Sequence, residues 1–260
     1  MSRQDGLQRI REALDDAAEV LSAFTPGAIE HRVKEGDDPV TEADLAVDEV
    51  LRNRLVREGE GWLSEETVDE PSRLERKRVW VVDPLDGTRE FVAGIPEWCV
   101  SIALVENGRP VLGGILNPAT GERVVGGAGL GVFLNDQPCR TRELTSLEGT
   151  EILASRSECK RGEWERFDSA PFRVRPMGSV AYKIALVAAG LADATWTLVP
   201  KHEWDVAAGV ALVTAAGGAV WMPDGAEPRF NRPKPLFEGL LAAPAGLVGP
   251  IRDFLGQPAK

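Results

Sequence analysis

The hexapeptide Asp83-Pro84-Leu85-Asp86-Gly87-Thr88 sets two carboxylates, a proline, a glycine and a hydroxyl directly after a short apolar run, Val79 to Val82. Carboxylates beside a buried strand are costly to place there without a use. Pro84 stiffens the loop and Gly87 frees its backbone, so both carboxylates and the Leu85 carbonyl can face one pocket. Two further acidic positions fall at the ends of predicted elements: Glu65-Glu66, and Asp205 in Glu203-Trp204-Asp205. If four carboxylates converge, each like-charged pair ~4 Å apart costs on the order of 4 kcal/mol at an effective dielectric near 20. Such a site needs cations or protons. Hard oxygen donors without nearby His or Cys favour Mg2+, with Mn2+ as a substitute, over zinc. A pair of ions roughly 3.5–4 Å apart suits phosphate-ester hydrolysis, because it activates water and neutralises charge on the attacked group and the leaving oxygen. An acidic protein can then bind an anion through metal. Gly87 and Thr88, opening a helix through Phe91, would offer free N–H groups to a phosphate, and Thr88 could also orient the attacking water.

Each of these residues also has a plainer reading. Glu65-Glu66 can be a solvated surface pair, Asp205 can merely cap an Ala-rich helix, and Asp44, three residues after Thr41, fits a capping box. Other chemistries have little support. Gly126-Gly127-Ala128-Gly129-Leu130-Gly131 lacks the spacing of a dinucleotide fingerprint and lies among predicted strands, so it reads as turn and bulge material. His31 and His202 are too far apart to suggest a metal pair, no Ser–His–Asp set stands out, and the scattered Trp residues read as core.

The elements that must position these residues follow from the hydrophobic pattern. Leu7, Ile10, Leu14, Ala17, Leu21 and Phe24 predict a first amphipathic helix ending before Pro26. A polar loop spans Glu30 to Pro39. A second helix runs from Thr41 to about Glu58, with Leu45, Leu51 and Leu55 on its inner face. Val79 to Val82 reads as a buried strand, followed by Cys99 to Val105, Val111 to Leu116 and Glu122 to Val125. Turns at Asn107-Gly108 and Asn117 to Gly121 make these an antiparallel meander. After about Ser146 strands and helices alternate: a strand at Glu151 to Ala154, a helix near Met177 to Gly190, a strand near Ala192 to Leu198, and a helix from about Asp205 to Ala216 closed by Gly217-Gly218. The proline-rich tail from Pro223 shows no regular pattern. The expectation is an α+β half over 1–146, with an antiparallel sheet and the acidic loops, packed closely against an α/β half over 147–260 that completes a crevice.

Composition narrows the class. The 260 residues carry 30 Lys and Arg against 41 Asp and Glu, a net charge of −11, which disfavours broad binding to nucleic-acid polymers or anionic membranes. With 43% hydrophobic and 27% charged residues the chain is an ordinary folded globule. Cys99, Cys139 and Cys159 are odd in number and form no CxxC pair, which points to a reducing compartment and away from structural zinc. Met1 to Asp16 lacks the apolar core of a secretory signal, and Asp193 interrupts the best apolar stretch, Ile184 to Val199. A cytoplasmic location is therefore expected.

Taken together, Asp44 in Thr41-Glu42-Ala43-Asp44, Glu65-Glu66, the DPLDGT hexapeptide and Trp204-Asp205 before an Ala/Gly-rich helix resemble, in order and spacing, the inositol monophosphatase superfamily of magnesium-dependent, lithium-sensitive phosphomonoesterases. The resemblance covers most of the chain and implies a layered αβαβα sandwich of the sugar-phosphatase type. It further implies two or three Mg2+ ions held by Glu65, Asp83, Asp86, Asp205 and the Leu85 carbonyl. Thr88, paired with Asp44, would position or deprotonate the nucleophilic water with help from Glu65, and no covalent phosphoenzyme would form. An aspartyl-phosphate phosphatase is disfavoured, since Asp83 and Asp86 are three apart rather than two.

Within the superfamily, Thr88-Arg89-Glu90-Phe91 resembles the Thr-Lys-Glu-Phe of 3′(2′),5′-bisphosphate nucleotidases, and Leu198 stands where inositol phosphatases carry a sugar-binding Glu. Gly178-Ser179 followed by Lys183 is similar to the nucleotidase segment whose Lys would contact a second phosphate. Ser179 and Lys183 therefore join Gly87 and Thr88 as expected substrate contacts. Ala93-Gly94-Ile95-Pro96 instead resembles histidinol-phosphatase-like members. The expected activity is removal of the 3′-phosphate of 3′-phosphoadenosine 5′-phosphate, a by-product of sulfate assimilation. Inositol 1-phosphate and histidinol phosphate are the alternatives, and a non-catalytic sensor of a phosphorylated metabolite is a different class. A homodimer is possible by analogy with relatives.

Overall fold

Helix α1 (Arg3–Leu21) starts at Ser2, whose hydroxyl accepts the Asp5 N–H at 3.1 Å while Asp5 accepts the Ser2 N–H at 3.0 Å. This reciprocal cap satisfies two amides that the first turn leaves unpaired. Leu7, Ile10, Leu14, Ala17 and Leu21 form its buried stripe, as their spacing predicts. The computed structural model describes residues 2–33 and 39–256. Of the loop expected over Glu30 to Pro39, residues 34–38 lie outside the described residues, and its flanks pair as the short antiparallel strands β1 (His31–Val33) and β2 (Pro39–Thr41). Helix α2 (Glu42–Leu55) follows at once. Its inner face is Ala43, Val47, Leu51 and Leu55, whereas Leu45, expected there, is 51% exposed. Six residues at about 100° each carry Leu45 roughly a third of a turn away from Leu51.

The first sheet has seven strands in chain order: β3 (Gly61–Ser64), β4 (Arg78–Asp86), β5 (Cys99–Glu106), β6 (Arg109–Asn117), β7 (Glu122–Gly127), β8 (Gly131–Leu134) and β9 (Gln137–Cys139). β3 runs parallel to β4, and every later pair is antiparallel. The expected meander is present and two strands longer, and the glycine run lies in β7, at the turn and at the start of β8. Between β4 and β5 sits α3 (Thr88–Val92), a helix of one turn. The second half of the chain contributes β10 (Glu151–Ser155), α4 (Arg156–Lys160), β11 (Arg173–Met177), α5 (Val180–Ala188), β12 (Ala194–Thr197) and β13 (Lys201–His202). After these come α6 (Glu203–Ala215), β14 (Gly218–Trp221), β15 (Leu236–Phe237), β16 (Leu240–Pro244) and α7 (Val248–Leu255). The second sheet has the order β11-β10-β12-β16-β14, with β10 parallel to both neighbours, while β13 and β15 form a separate antiparallel pair.

Alternation along the strands sorts their side chains into three cores. Trp80 and Val82 of β4 and Ile102 and Leu104 of β5 pack under α1 and α2, whereas Val79, Val81 and Val105 face α5 and α6. In the second sheet Leu153, Leu240 and Ala242 face the same two helices, while Ile152, Trp196 and Leu241 join Trp164, Phe167 and Ile251 on the outer side. The result is the expected αβαβα sandwich, each fully buried Leu or Ile contributing ~1.5–3 kcal/mol. Gly113 lets α6 lie close on β6: a Cβ there would stand 2.5 Å from the Ala208 carbonyl.

Boundaries differ where side-chain chemistry overrides hydrophobicity. The α5 helix begins at Val180 rather than Met177, because Met177 ends β11 and Ser179 takes φ +52° as the N-cap. The α6 helix begins two residues before Asp205, and the irregular tail holds β15, β16 and α7. Among the described residues no helix is long and apolar enough to cross a membrane.

Candidate active site

Asp44 stands in the first turn of α2 and uses its two oxygens differently. Oδ2 accepts the Thr41 amide at 2.7 Å and the Thr41 hydroxyl at 2.6 Å, which is the plain capping role. Oδ1 accepts the Thr88 hydroxyl at 3.0 Å. Thr88 Oγ1 also lies 3.0 Å from the Leu85 carbonyl. One hydroxyl proton cannot serve both acceptors, so the oxygen retains a lone pair for another donor. Gly87 makes this approach possible: its φ is +101°, and a Cβ would meet the Glu97 carbonyl at 2.9 Å.

The hexapeptide leaves β4 with Asp83 facing inward, 1% exposed, its Oδ1 accepting the Leu85 N–H at 3.0 Å. Asp86 is gripped from the other sheet's side: Ser179 Oγ donates to Oδ2 at 2.7 Å and the Ala181 N–H at 2.5 Å. Asp205 accepts the His202 N–H at 2.9 Å, so it too caps a helix while facing the cleft. Glu65 follows directly on β3, a strand the sequence reading did not identify, and is half-buried in the cleft wall rather than a surface residue.

These groups line one cleft of about 540 Å³, together with Gly87, Thr88, Ser179 and Lys183, and Asp44 reaches it through Thr88. The structure thus brings every expected site residue to one place. Two have their polar atoms committed to the protein. Ser179 Oγ serves Asp86 and accepts the Tyr182 N–H, and Lys183, 3% exposed, directs Nζ to the carbonyls of Met177, Gly178 and Ser179 at 3.2, 3.3 and 2.8 Å. Lys183 therefore lends the cleft charge more than a hydrogen-bond donor. Several lining residues were not anticipated: Arg156, Lys201, and the His202 and Trp204 rings, stacked with centroids 4.3 Å apart and planes within 2°. The one available signal was adjacency, since Lys201 and His202 immediately precede Glu203-Trp204-Asp205. Glu203 itself is fully buried away from the cleft, accepting the Asn231 and Arg232 amides.

The electrostatics state what the cleft lacks in protein atoms alone. Burial, then the charges of Glu65, Asp86, Asp205 and Asp44, push the Asp83 carboxyl well above its ordinary range. Burial followed by Asp86 and Glu65 does the same to Asp205. Asp86 is raised by burial but partly relieved by Ser179, the Ala181 N–H, Lys183 and Lys201. Among the described residues no three His, Cys, Asp or Glu form a closed cage able to hold a metal ion as they stand. The acids line one cleft, and burial first and then their mutual charge raise them. An all-oxygen donor set whose members disfavour one another's ionisation fits a hard divalent cation such as Mg2+, which would replace protons as the neutralising charge.

The chain matches the inositol monophosphatase family over residues 6–250. It is 34% identical to inositol monophosphatase 3 of Solanum lycopersicum over 231 residues, 83% of this chain and 85% of that one. Among solved structures, the Thermotoga maritima IMPase superposes with TM-score 0.82 at 29% identity, covering 98% of this chain and 97% of its own. CysQ from Bacteroides thetaiotaomicron, a bacterial member of the inositol monophosphatase family, superposes with TM-score 0.79 at 28% identity, covering 93% and 98%.

Proposed function

Because the chain belongs to the inositol monophosphatase family, whose enzymes are metal-dependent, generally on Mg2+, we propose that it is a magnesium-dependent phosphomonoesterase removing the 3′-phosphate of 3′-phosphoadenosine 5′-phosphate. The observation that carries the catalytic part is the Thr88–Asp44 hydrogen bond at the edge of a cleft lined by Glu65, Asp83, Asp86 and Asp205. In this reading Glu65, Asp83, Asp86, Asp205 and the Leu85 carbonyl would hold the ions, which when bound would supply Lewis acidity and offset charge on the phosphoryl group. Asp44, fixed through Oδ2, accepts the Thr88 O–H hydrogen bond, so Thr88 Oγ1 turns a lone pair toward a water O–H. That orients the water oxygen toward phosphorus, and Glu65, on the same wall, assists in accepting its proton. The new P–O bond forms as the ester P–O bond breaks, the departing alkoxide is protonated by solvent water while the proton left on Glu65 returns to solvent, and no protein atom becomes phosphorylated.

The substrate choice is supported by three features. Leu198 offers no carboxylate for a sugar, the stacked His202 and Trp204 rings line the cleft, and cationic side chains line it together with the acids. Inositol 1-phosphate is the second reading, favoured by the name of a Mesorhizobium japonicum relative, inositol-1-monophosphatase, 37% identical over 199 residues. A phosphate-release panel with and without Mg2+ and Li+, over adenosine 3′,5′-bisphosphate, inositol 1-phosphate, histidinol phosphate and fructose 1,6-bisphosphate, tests both. The nucleotide should give the highest kcat/KM. Rapid release from inositol 1-phosphate or histidinol phosphate with none from the nucleotide overturns the substrate. Tight binding without turnover of any of them would make the protein a sensor.

A further inference from the structure

Four cationic side chains line the cleft, and they are not equivalent. Arg89 is exposed, and Arg156 is clamped by Glu97 at 2.5 Å with Glu90 3.9 Å from its Nε. Lys183 spends its three protons on backbone carbonyls. Lys201 differs from all of them. Its side chain is 16% exposed, and its Nζ lies 3.6 Å from Glu158 Oε1, beyond hydrogen-bonding distance. Among the described residues that ion pair is its only direct polar contact. Glu158, 2% exposed in α4, cannot swing to meet it, because Thr197 Oγ1 donates to Oε1 at 2.6 Å and Trp164 Nε1 to Oε2 at 3.1 Å. The backbone of Lys201 is pinned as well, through the pairing of β13 with β15.

The arrangement is a rigid buried carboxylate tethering an ammonium whose three N–H groups are not satisfied by the protein. An ammonium held this way at a partly dry wall gains from any ligand that supplies oxygen acceptors, and little ordering remains to oppose that gain. Its charge is felt by both Asp86 and Asp205, so it stands within electrostatic reach of the reaction centre. We propose that Lys201, positioned by Glu158, recognises a second phosphate on the substrate, the one that is not cleaved. The role expected of Lys183 from sequence thus falls to a lysine eighteen residues later, with Lys183 kept as a structural ammonium under the α5 N-terminus. This rests on the phosphomonoesterase reading above but not on the nucleotide.

The test compares kcat and KM for scaffold-matched pairs: adenosine 3′,5′-bisphosphate with adenosine 3′-phosphate, and fructose 1,6-bisphosphate with fructose 1-phosphate. Wild type, Lys201→Ala, Lys201→Arg and Glu158→Gln are measured, with thermal melts as a check on folding. For whichever bisphosphate the wild type hydrolyses, Lys201→Ala should raise KM about 10- to 100-fold, the size of one charge-assisted hydrogen bond. Its kcat, and both constants for the matched monophosphate, should move less than about threefold. Lys201→Arg should restore most of the affinity, and Glu158→Gln should raise the bisphosphate KM by a smaller factor. Equal losses on both members of a pair, or an unchanged KM, overturn the assignment. A wild type that hydrolyses only monophosphates sinks Lys201 while leaving the phosphomonoesterase reading intact. If nothing is hydrolysed, that reading fails, and calorimetric titration of adenosine 3′,5′-bisphosphate into wild type and Lys201→Ala decides Lys201 alone; equal affinities reject it.

Discussion

Thr88 Oγ1 donates to Asp44 Oδ1 at 3.0 Å across a separation of 44 residues, while the opposite oxygen of the same carboxylate caps α2 through Thr41. One side chain thus ties a helix start to the hexapeptide loop. Thr88→Ala removes the bond without touching the cap, and should lower kcat by about 10²–10⁴ with little change in melting temperature. Thr88→Ser should recover much of the rate. A Thr88→Ala enzyme within about threefold of wild type would remove this hydroxyl from the mechanism.

Asp86→Asn and Asp205→Asn should each lower turnover by orders of magnitude with the fold intact, since each removes one negative donor from the proposed cation-binding wall. Near wild-type rates at saturating Mg2+ in both variants would contradict the ligand assignment. Asp83→Asn has a split outcome. In chelator it should melt higher than wild type, because the ionised carboxylate is opposed by burial and four neighbouring acids, yet it should be inactive.

On the proposed ligand assignment, the raised carboxyls make the effect of Mg2+ on stability depend on pH. A carboxyl whose pKa is higher in the folded state binds its proton more tightly there than in the unfolded chain. That part of stability is complete below the ordinary carboxyl range near pH 4 and is lost as pH rises through the elevated values of Asp83, Asp86 and Asp205. Melting temperature measured in chelator should therefore fall as pH rises above the ordinary carboxyl range, relative to the same protein in Mg2+, the gap widening with pH. A gap that is absent or independent of pH would show that these acids do not share a cation.

Burial lowers the Lys183 ammonium from 10.5 to about 8. A lysine depressed in the folded state favours folding in its neutral form, so its contribution improves as pH rises from about 8 to 10.5 and is lost as pH falls through 8. Compared with Lys183→Met, wild type should gain on the order of 3 kcal/mol across that window. Parallel stability curves for the two proteins over that range would mean that Lys183 is solvated more than its position suggests.

Much of this architecture was legible from sequence because hydrophobic spacing and capping chemistry act locally. The stripe of α1, the meander from Cys99 onward and the cap at Thr41 all follow from neighbours in the chain, whereas the cap at Ser179, which moved the start of α5, did not show in the hydrophobic pattern. Leu45 was misplaced because its hydrophobicity was counted without its angle around the helix. β3 was missed because four residues, Gly61–Ser64, acquire their strand character only by pairing with β4. At the site, the acids announced themselves by type and spacing. The different states of Lys183 and Lys201 did not, since they depend on Glu158 and on three carbonyl oxygens.

The grip of Ser179 and Ala181 on Asp86 has a bearing on biosynthesis. As the polypeptide leaves the ribosome, the strands through Cys139 are available to pair long before α5 or α6 exists, so the hexapeptide must wait, hydrated and repelled by its own charges. The cleft is complete only when the segment carrying Asp205 emerges and docks, so on the proposed assignment a nascent chain that stops short of it should show no turnover.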